Sequence, residues 1–571
     1  MTSAPPSLDD GYAIPQRYWG WLGTPRAVAA LVWIAAIGSG VAFTHRALHW
    51  FDVPPHLAPE RKRADGNAGH AQIDFGGQWL MGRMVATGHG RELYHRARQR
   101  QVLRDGYPVT DESLLQQREA ADSTKLRSAT QSDDDTEHDA NNLMNWFMGQ
   151  DAPEGGAGPA IGGPLYPPVH ALFYAPLGLI DRPQRAYHFF QVFCALLVPV
   201  AGLGVKVLTR GRIWWSVATL GIYLFPGTRG ALDLGQNPTI SLCIVIWGWA
   251  LASRGYYVAG GVVWGLFAFK PVWAAAFFLV PLLMRRWRFC GAMVLTGAAF
   301  GLLTLPVVGL ESWFHWLKIG REAADLYKVN DNWIHLSRDL QGIPRRILHD
   351  FTQPQERRET PLANSLAWGL WGAVFAATAA VYLLRGDRSR PTGLSAGFLF
   401  LGAYLTCFHF MYYDVLLASA AVAVLLADPK RFLRAETFAV APADPAPPSD
   451  RALPLPTLPK PLGARMLGYV NSFPLTVVVA LFLMENSLSG MELEATVGIR
   501  YYATPATDGS TNASVPRVRA DTGPRYPIDT FLLMTLWAWC GWRLIRGEVK
   551  FPTNGGQSES GVNSEHEEIH R

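Results

Sequence analysis

The stretch GLFAFKPVWAAAFFLV, residues 265–280, places a single lysine, Lys270, between two short apolar segments. A bilayer core of about 30 Å requires about 20 apolar residues per spanning helix, so these segments are short spans. If the first rises and the second descends, Lys270 lies at a shallow outer turn. Ionisable residues at membrane depth are rare and are functional candidates by default. The alternative is a lysine whose ammonium group extends to the membrane surface.

The composition of the whole chain agrees with a membrane protein. Hydrophobic residues make up 49% and charged residues 17% of the 571 residues, whereas soluble domains carry about 25% charged residues. The net charge of +5 is modest, and no basic and aromatic module indicates nucleic-acid binding. All five cysteines lie in apolar runs, which excludes a disulfide framework in the loops. The sequence therefore predicts an all-α polytopic membrane protein.

About twelve apolar runs are candidates for spanning helices. They cover approximately residues 27–45, 187–208, 212–227, 238–254, 256–269, 271–284, 289–309, 364–384, 392–409, 412–427, 467–487 and 527–546. A further run, residues 166–180, is interrupted by proline and is predicted to be re-entrant or interfacial. Arg or Lys residues beside alternate span ends predict that both termini are cytoplasmic. The long loops 46–186, 310–363 and 488–526 then lie outside.

The predicted organisation has five parts. A cytoplasmic N-terminus, a membrane core, a Pro-rich linker, a C-terminal pair of spans and a cytoplasmic tail cover residues 1–26, 27–427, 428–466, 467–546 and 547–571. The N-terminus is too long, too acidic and too aromatic for a cleavable signal peptide, so we expect the first span to be retained.

A polar, acidic insertion, residues 107–163, lies in the first outer loop. We interpret it as a flexible, solvated segment. A cation site at its consecutive aspartates, Asp133, Asp134 and Asp135, is the alternative.

Candidate functional residues are the polar groups at the outer helix ends, because no phosphate-binding loop, dinucleotide fingerprint, zinc-protease or serine-hydrolase motif is present. Asp74, in AQIDFGGQWLMGRMVATGHGRELY, is a single acid early in the first outer loop. The alternative role for Asp74 is to cap the helix that follows it.

The stretch RGALDLGQNP, residues 229–238, forms a second outer turn with Arg229, Asp233, Gln236 and Asn237 at the mouth of a helix. Free N–H groups at a helix N-terminus could bind an anion there. Ordinary turn chemistry is the alternative.

Two later stretches add polar side chains on the same predicted side. NDNWIHLSRDLQGIPRR contributes His335 and Arg338, and FHFMYYDV contributes His409, Tyr412 and Asp414. Each histidine has the alternative of a purely structural role.

The order of these parts is distinctive. One span is followed by a long outer loop with an early Asp, LYPP with a later Pro176, GQN at the start of a span, and AGGVVWGLFAFKP before a basic inner turn. Over roughly residues 27–427 this layout resembles family 87 of the glycosyltransferases, polyprenyl-phosphate-mannose-dependent mannosyltransferases of the GT-C superfamily.

The resemblance implies a GT-C-type fold in which Asp74 is the catalytic base and Lys270, with Arg229 or Arg338, holds the donor phosphate. A polyprenyl-phosphate sugar already carries its leaving group, so one carboxylate suffices to take the acceptor proton. A glycosidase would need two carboxylates.

The partners implied are a polyprenyl-phosphate hexose, most simply mannose, a lipid-linked or envelope glycan acceptor, and membrane lipid. No nucleotide or other cofactor is expected, and the sequence leaves metal dependence open. The resemblance implies a cell-membrane enzyme with its site on the extracytoplasmic side.

Two other classes of protein are alternatives to a glycosyltransferase. A secondary transporter or lipid flippase would place polar groups near the bilayer midplane and often shows repeated halves. Here the charges gather at one face, and no repeat is detected. An envelope scaffold without chemistry would leave Lys270 unexplained.

Overall fold

A computed structural model describes residues 25–48, 70–95, 98–99, 101–102, 165–329, 334, 336–350, 357–427, 473–482 and 527–546. The described chain is helical, and its only β-type contact is an isolated bridge between Ser337 and Met411. The insertion 107–163, the linker 428–466 and the tail 547–571 lie outside the described residues, as do Asp133, Asp134 and Asp135.

The helices are, in chain order, α1 (Pro25–Leu48), α2 (His70–Ala86), α3 (Pro168–Gly178), α4 (Pro183–Leu208), α5 (Trp215–Tyr223), α6 (Thr228–Leu234), α7 (Pro238–Ser253), α8 (Tyr257–Gly265), α9 (Pro271–Leu283), α10 (Trp287–Val308), α11 (Glu311–Leu326), α12 (Gly342–Leu348), α13 (Pro361–Arg385), α14 (Leu394–Leu405), α15 (Ala418–Leu426), α16 (Phe473–Phe482) and α17 (Ile528–Ile545). Two 3-10 helices, Leu266–Phe269 and Tyr412–Leu417, continue α8 and precede α15.

Four of the described helices, α1, α4, α10 and α13, are long and apolar enough to cross a membrane. Six shorter apolar helices accompany them: α7, α8 with its 3-10 extension, α9, α14, α15 with its 3-10 start, and α16. The predicted span 212–227 is wrong as a full span, because its helix α5 has only nine residues. The total of about twelve spans stays a prediction.

The long helices expose apolar side chains, whereas α14 is buried within the bundle. On α10, Leu295 is 72% and Leu302 65% exposed. A monomeric soluble protein rarely exposes so continuous an apolar surface, and a membrane protein presents it to lipid. In contrast, all twelve residues of α14 are buried, as expected of a helix that is apolar on every side.

Turns of opposite character gather at the two ends of the bundle. At one end, Arg212 donates to the carbonyl of Ala427 at 2.7 Å and Arg286 to that of Arg388 at 2.8 Å. These basic turns are the ones predicted to be cytoplasmic. Lys270 precedes the first residue of α9, whereas Arg286 follows the last, so the two lie at opposite ends of this helix. Which end faces the cytoplasm stays a prediction.

The crossing of α2 and α3 fixes α2 against the rest of the bundle. A Cβ at Gly82 would lie 2.1 Å from the carbonyl oxygen of Tyr174, so only glycine permits this approach. Nearby, the Trp79 indole donates to the carbonyl of Ile180 and the Arg83 guanidinium to that of Gly178, both at 3.0 Å. At eleven residues, α3 is too short to span the membrane.

Candidate active site

Lys270 lies at the break between the 3-10 helix Leu266–Phe269 and α9. Its Nζ donates to Oδ1 of Asp414 at 2.6 Å, and the two residues are only 8% and 2% exposed. The alternative of a lysine extending to the membrane surface is therefore wrong. Because a buried charge is costly unless paired, the pair explains how an ammonium group is tolerated at this depth.

Asp414 is fixed by its own 3-10 helix. The backbone N–H of Met411 donates to its Oδ2 at 3.4 Å, while Oδ1 receives Lys270. Lys270 Nζ also lies 5.9 Å from the centre of the Tyr413 ring. Tyr412, a predicted site residue, is buried, and its ring lies so close to Gly230 that a Cβ there would be 2.4 Å from Cε2.

Asp74 lies within α2, four residues after its first residue, His70. The alternative that Asp74 caps this helix is therefore wrong, because an N-cap residue precedes the helical turns. The side chain is half-buried. Burial, followed by the charges of Asp74 and Asp414, raises the pKa of the Tyr166 hydroxyl. Asp74 and Asp414, far apart in sequence, thus lie around the same tyrosine.

Tyr327, which follows α11, also lies near Asp74. Burial first, and then the charge of Asp74, raises the pKa of its hydroxyl. Tyr166, Tyr327 and Tyr413 are all half-buried. We call the group of Asp74, Lys270, Asp414 and these three tyrosines the central cluster.

The GQN turn holds α2 in place. Gly235 ends α6 with a φ of 64°, in the left-handed region that favours glycine, and its carbonyl accepts from Gln78 Nε2 at 2.9 Å. Asn237 Nδ2 donates to Gln78 Oε1 at 3.2 Å. Gln236 Oε1 accepts from the Tyr166 hydroxyl at 2.9 Å. Gln236 therefore contacts Tyr166 of the cluster, and Asn237 contacts the helix that carries Asp74.

Arg229 and Arg338 each lie beside a carboxylate other than Asp414. Arg229 Nε is 3.9 Å from Oδ2 of Asp233, which also accepts from Arg46 Nε at 3.1 Å. Arg338 Nε donates to Asp529 Oδ2 at 2.9 Å. The three cations predicted to bind phosphate thus form three separate ion pairs.

His409 occupies the turn between α14 and the 3-10 helix Tyr412–Leu417. Its ring stacks on Tyr327 with centroids 3.3 Å apart, and its Nδ1 lies 3.9 Å from Asp339 Oδ2. Burial lowers its pKa to about 4, against the opposing effect of Asp339. The backbone φ of 46° is uncommon for a residue other than glycine. His335 lies outside the described residues.

Sequence reasoning missed the tyrosines and the partners of the cations. Tyr166 stands in the LYPP stretch, and Asp529 begins the last apolar run, so both were visible as polar groups at span ends. Pairing across the fold could not be found from their positions alone. Among the residues that the structure describes, no group of three His, Cys, Asp or Glu side chains could hold a metal ion. All five cysteines are free, and four are buried.

The model of glycosyltransferase family 87 matches residues 165–408. This region belongs to glycosyltransferase family 87. The resemblance to family 87 noted in the sequence is confirmed over these residues, and the match supports a membrane enzyme that transfers a sugar. The mannosyl specificity stays a prediction. The matched region includes Tyr166, Gln236 and Lys270, whereas Asp74 precedes it and Asp414 follows it. No curated protein and no solved structure matches the chain.

Proposed function

We propose that this family 87 enzyme transfers a hexose, mannose in the simplest case, from a polyprenyl phosphate to a lipid-linked or envelope glycan acceptor. The transfer inverts the anomeric centre and takes place on the extracytoplasmic side of the cell membrane. One observation carries the proposal: Asp74 and the buried Lys270–Asp414 pair lie close enough to Tyr166 for both carboxylates to raise the pKa of its hydroxyl. A site of this kind lies where a lipid donor and a polar acceptor can meet.

Asp74 is the proposed general base. Asp414 is paired with Lys270 and Asp233 with Arg46, so either carboxylate is already engaged with a cation in the folded protein. Asp74 lies near the Tyr166 and Tyr327 hydroxyl groups, in a half-buried position that an acceptor can reach. The acceptor hydroxyl gives its proton to Asp74 as its oxygen forms a bond to C1 of the sugar. The bond between C1 and the phosphate oxygen breaks, and polyprenyl phosphate leaves.

Lys270 is the proposed ligand of the donor phosphate. An ammonium group has three donors, and Asp414 is its hydrogen-bond partner among the described residues. The remaining donors can face a phosphate, and the fixed positive charge stabilises the charge that develops on the leaving group. Arg229 and Arg338 are secondary candidates, because each already contacts a carboxylate.

Membership of a glycosyltransferase family supports an enzyme rather than the transporter or flippase alternative. A lipid-phosphate donor also suits the position of Lys270. Lys270 lies between two short apolar helices, and the phosphate of a membrane lipid could approach it there without leaving the bilayer. A nucleotide sugar would need a water-filled binding site and is not required.

A reconstituted transfer assay tests the donor class. Proteoliposomes containing the enzyme and a glycolipid extract would receive either radiolabelled polyprenyl-phosphate mannose or radiolabelled GDP-mannose, with protein-free liposomes as the control. We expect label in the glycolipid fraction only with the lipid-phosphate donor. Label from GDP-mannose alone would refute the proposal, and labelled polyprenyl-phosphate glucose in the same assay tests the choice of mannose.

A further inference from the structure

The C-terminal helix α17 touches the outer segment that borders the central cluster. Its first turn carries Asp529, which accepts from Arg338 Nε at 2.9 Å, and Thr530, whose hydroxyl donates to the Arg338 carbonyl at 2.8 Å. Thr530 is 1% exposed. Arg338 is therefore held at both its side chain and its backbone. Helix α17 lies outside the region that matches family 87.

The contacts continue from Arg338 to the cluster. The backbone N–H of Arg338 donates to the carbonyl of Phe410 at 2.9 Å, and Ser337 and Met411 form the isolated β-bridge. Met411 in turn donates its backbone N–H to Asp414, the partner of Lys270. Hydrogen bonds, together with the peptide bond between Phe410 and Met411, thus join the first turn of α17 to the lysine.

The rest of α17 is fixed against the membrane core, so its first turn is a rigid support. The Trp537 indole donates to the Thr378 hydroxyl on α13 at 3.0 Å. A Cβ at Gly541 would lie 2.9 Å from the ring of Phe398 on α14, which shows how closely the two helices approach. A shift of the first turn would therefore require the whole helix to repack.

We propose that Asp529 and Thr530 are positioning residues for the transfer reaction, because they hold segment 337–339 against segment 409–414 and so set the position of the Lys270–Asp414 pair. This inference rests on the proposed function for its kinetic part only. In this role Arg338 acts through Asp529 and the Phe410 carbonyl, rather than as a direct ligand of the donor phosphate.

Hydrogen exchange of the full chain tests the mechanical part without any substrate. We expect Asp529→Asn and Arg338→Gln each to speed amide hydrogen exchange in the peptide covering residues 409–417 by about 3- to 10-fold. This factor corresponds to the loss of one partly exposed charge-assisted hydrogen bond. The double variant should show no further increase, because both changes break the same link. Thr535→Ala, at an exposed position on the same helix, is the matched control and should leave this peptide unchanged.

Kinetics test the positioning role itself. Asp529→Asn should raise the donor KM by about 3- to 10-fold with a smaller effect on kcat, and Asp529→Glu should restore part of the loss. Thr530→Val removes only a hydroxyl and provides a second test if the first variant fails to fold. Additive donor KM effects of Arg338→Gln and Asp529→Asn would instead make Arg338 a direct phosphate ligand and overturn the proposal.

The two proposals fail separately. Unchanged exchange at residues 409–417 and an unchanged donor KM in a variant that transfers sugar would overturn the positioning role alone. Faster exchange in variants of an enzyme that accepts no polyprenyl-phosphate hexose would support the mechanical link and overturn the proposed function.

Discussion

Removing one partner of the Lys270–Asp414 pair should destabilise the fold more than removing both. Nζ and Oδ1 lie 2.6 Å apart, with side chains 10% and 3% exposed. At an effective dielectric constant of about 20, unit charges at this distance attract by roughly 6 kcal/mol. Desolvation opposes this by several kcal/mol per ion, so the net value of the pair is small. A single buried charge left alone, however, costs about 3–5 kcal/mol.

The variants are Lys270→Met, Asp414→Asn and the double replacement. Each single change should lower the free energy of unfolding by about 3–5 kcal/mol, and the double change should lower it by less than either single change does. Unfolding by SDS titration in mixed micelles, followed by circular dichroism, measures these differences. Additive single effects, or a loss below about 1 kcal/mol for Lys270→Met, would refute the buried pair.

Donor binding separates the stability role of Lys270 from its role in binding. Lys270→Ala should weaken donor binding more than Lys270→Arg, because arginine keeps the charge but not the shape of the ammonium group. Equal donor saturation curves for the wild type and both variants would remove Lys270 from phosphate binding. The double replacement should fold better than either single variant and still bind donor poorly.

Three further predictions test the fold and the surroundings of the cluster. Gly82→Ala should cost about 1–3 kcal/mol in unfolding free energy, because its Cβ meets the Tyr174 backbone, whereas Gly291→Ala, with no atom within 4 Å, should stabilise by about 0.5–1 kcal/mol. The lowered pKa of His409 means that its neutral form is favoured on folding, so its contribution to stability is complete above about pH 6.5 and declines as the pH falls toward 4. His409→Asn, which tolerates a positive φ, should remove that decline in unfolding midpoints measured across this range; an unchanged decline would contradict it. Reporter fusions near residues 210, 287 and 388 should read cytoplasmic and those near 120, 340 and 505 external, and opposite results at 120 and 340 would contradict the predicted topology.

The sequence predicted the class of fold and the position of Lys270 because both depend on local patterns. Apolar runs and the break at Lys270–Pro271 are visible in any window of the chain, and the structure has a helix end there. The length of α5 was not predictable in the same way. Ala218, Ile222 and Phe225 pack in the core, whereas Trp215 and Val217 are exposed, and hydropathy does not distinguish such a segment from one that spans the membrane.

The partners within the site depend on tertiary packing. Asp414 is 144 positions from Lys270, and Asp529 is 191 positions from Arg338. Both acids could be located at span ends, but one sequence gives no information on which cation each meets. Asp74 shows the same limit, because its place inside α2, rather than before it, depends on where the helix begins. The close crossing at Gly82 then determines how α2 presents it.

The most direct test of the account is the transfer activity of Asp74→Asn with polyprenyl-phosphate mannose in proteoliposomes. Asparagine has nearly the same size as aspartate. The change also leaves the backbone carbonyl of residue 74 able to accept the hydrogen bond from Gln78 Nε2. We expect normal membrane insertion, an unfolding midpoint close to that of the wild type and normal donor binding. Transfer should fall by about 10²–10⁴-fold, as for loss of a general base. Transfer near the wild-type rate would contradict the central claim and make Asp233 or Asp414 the next candidate for the base.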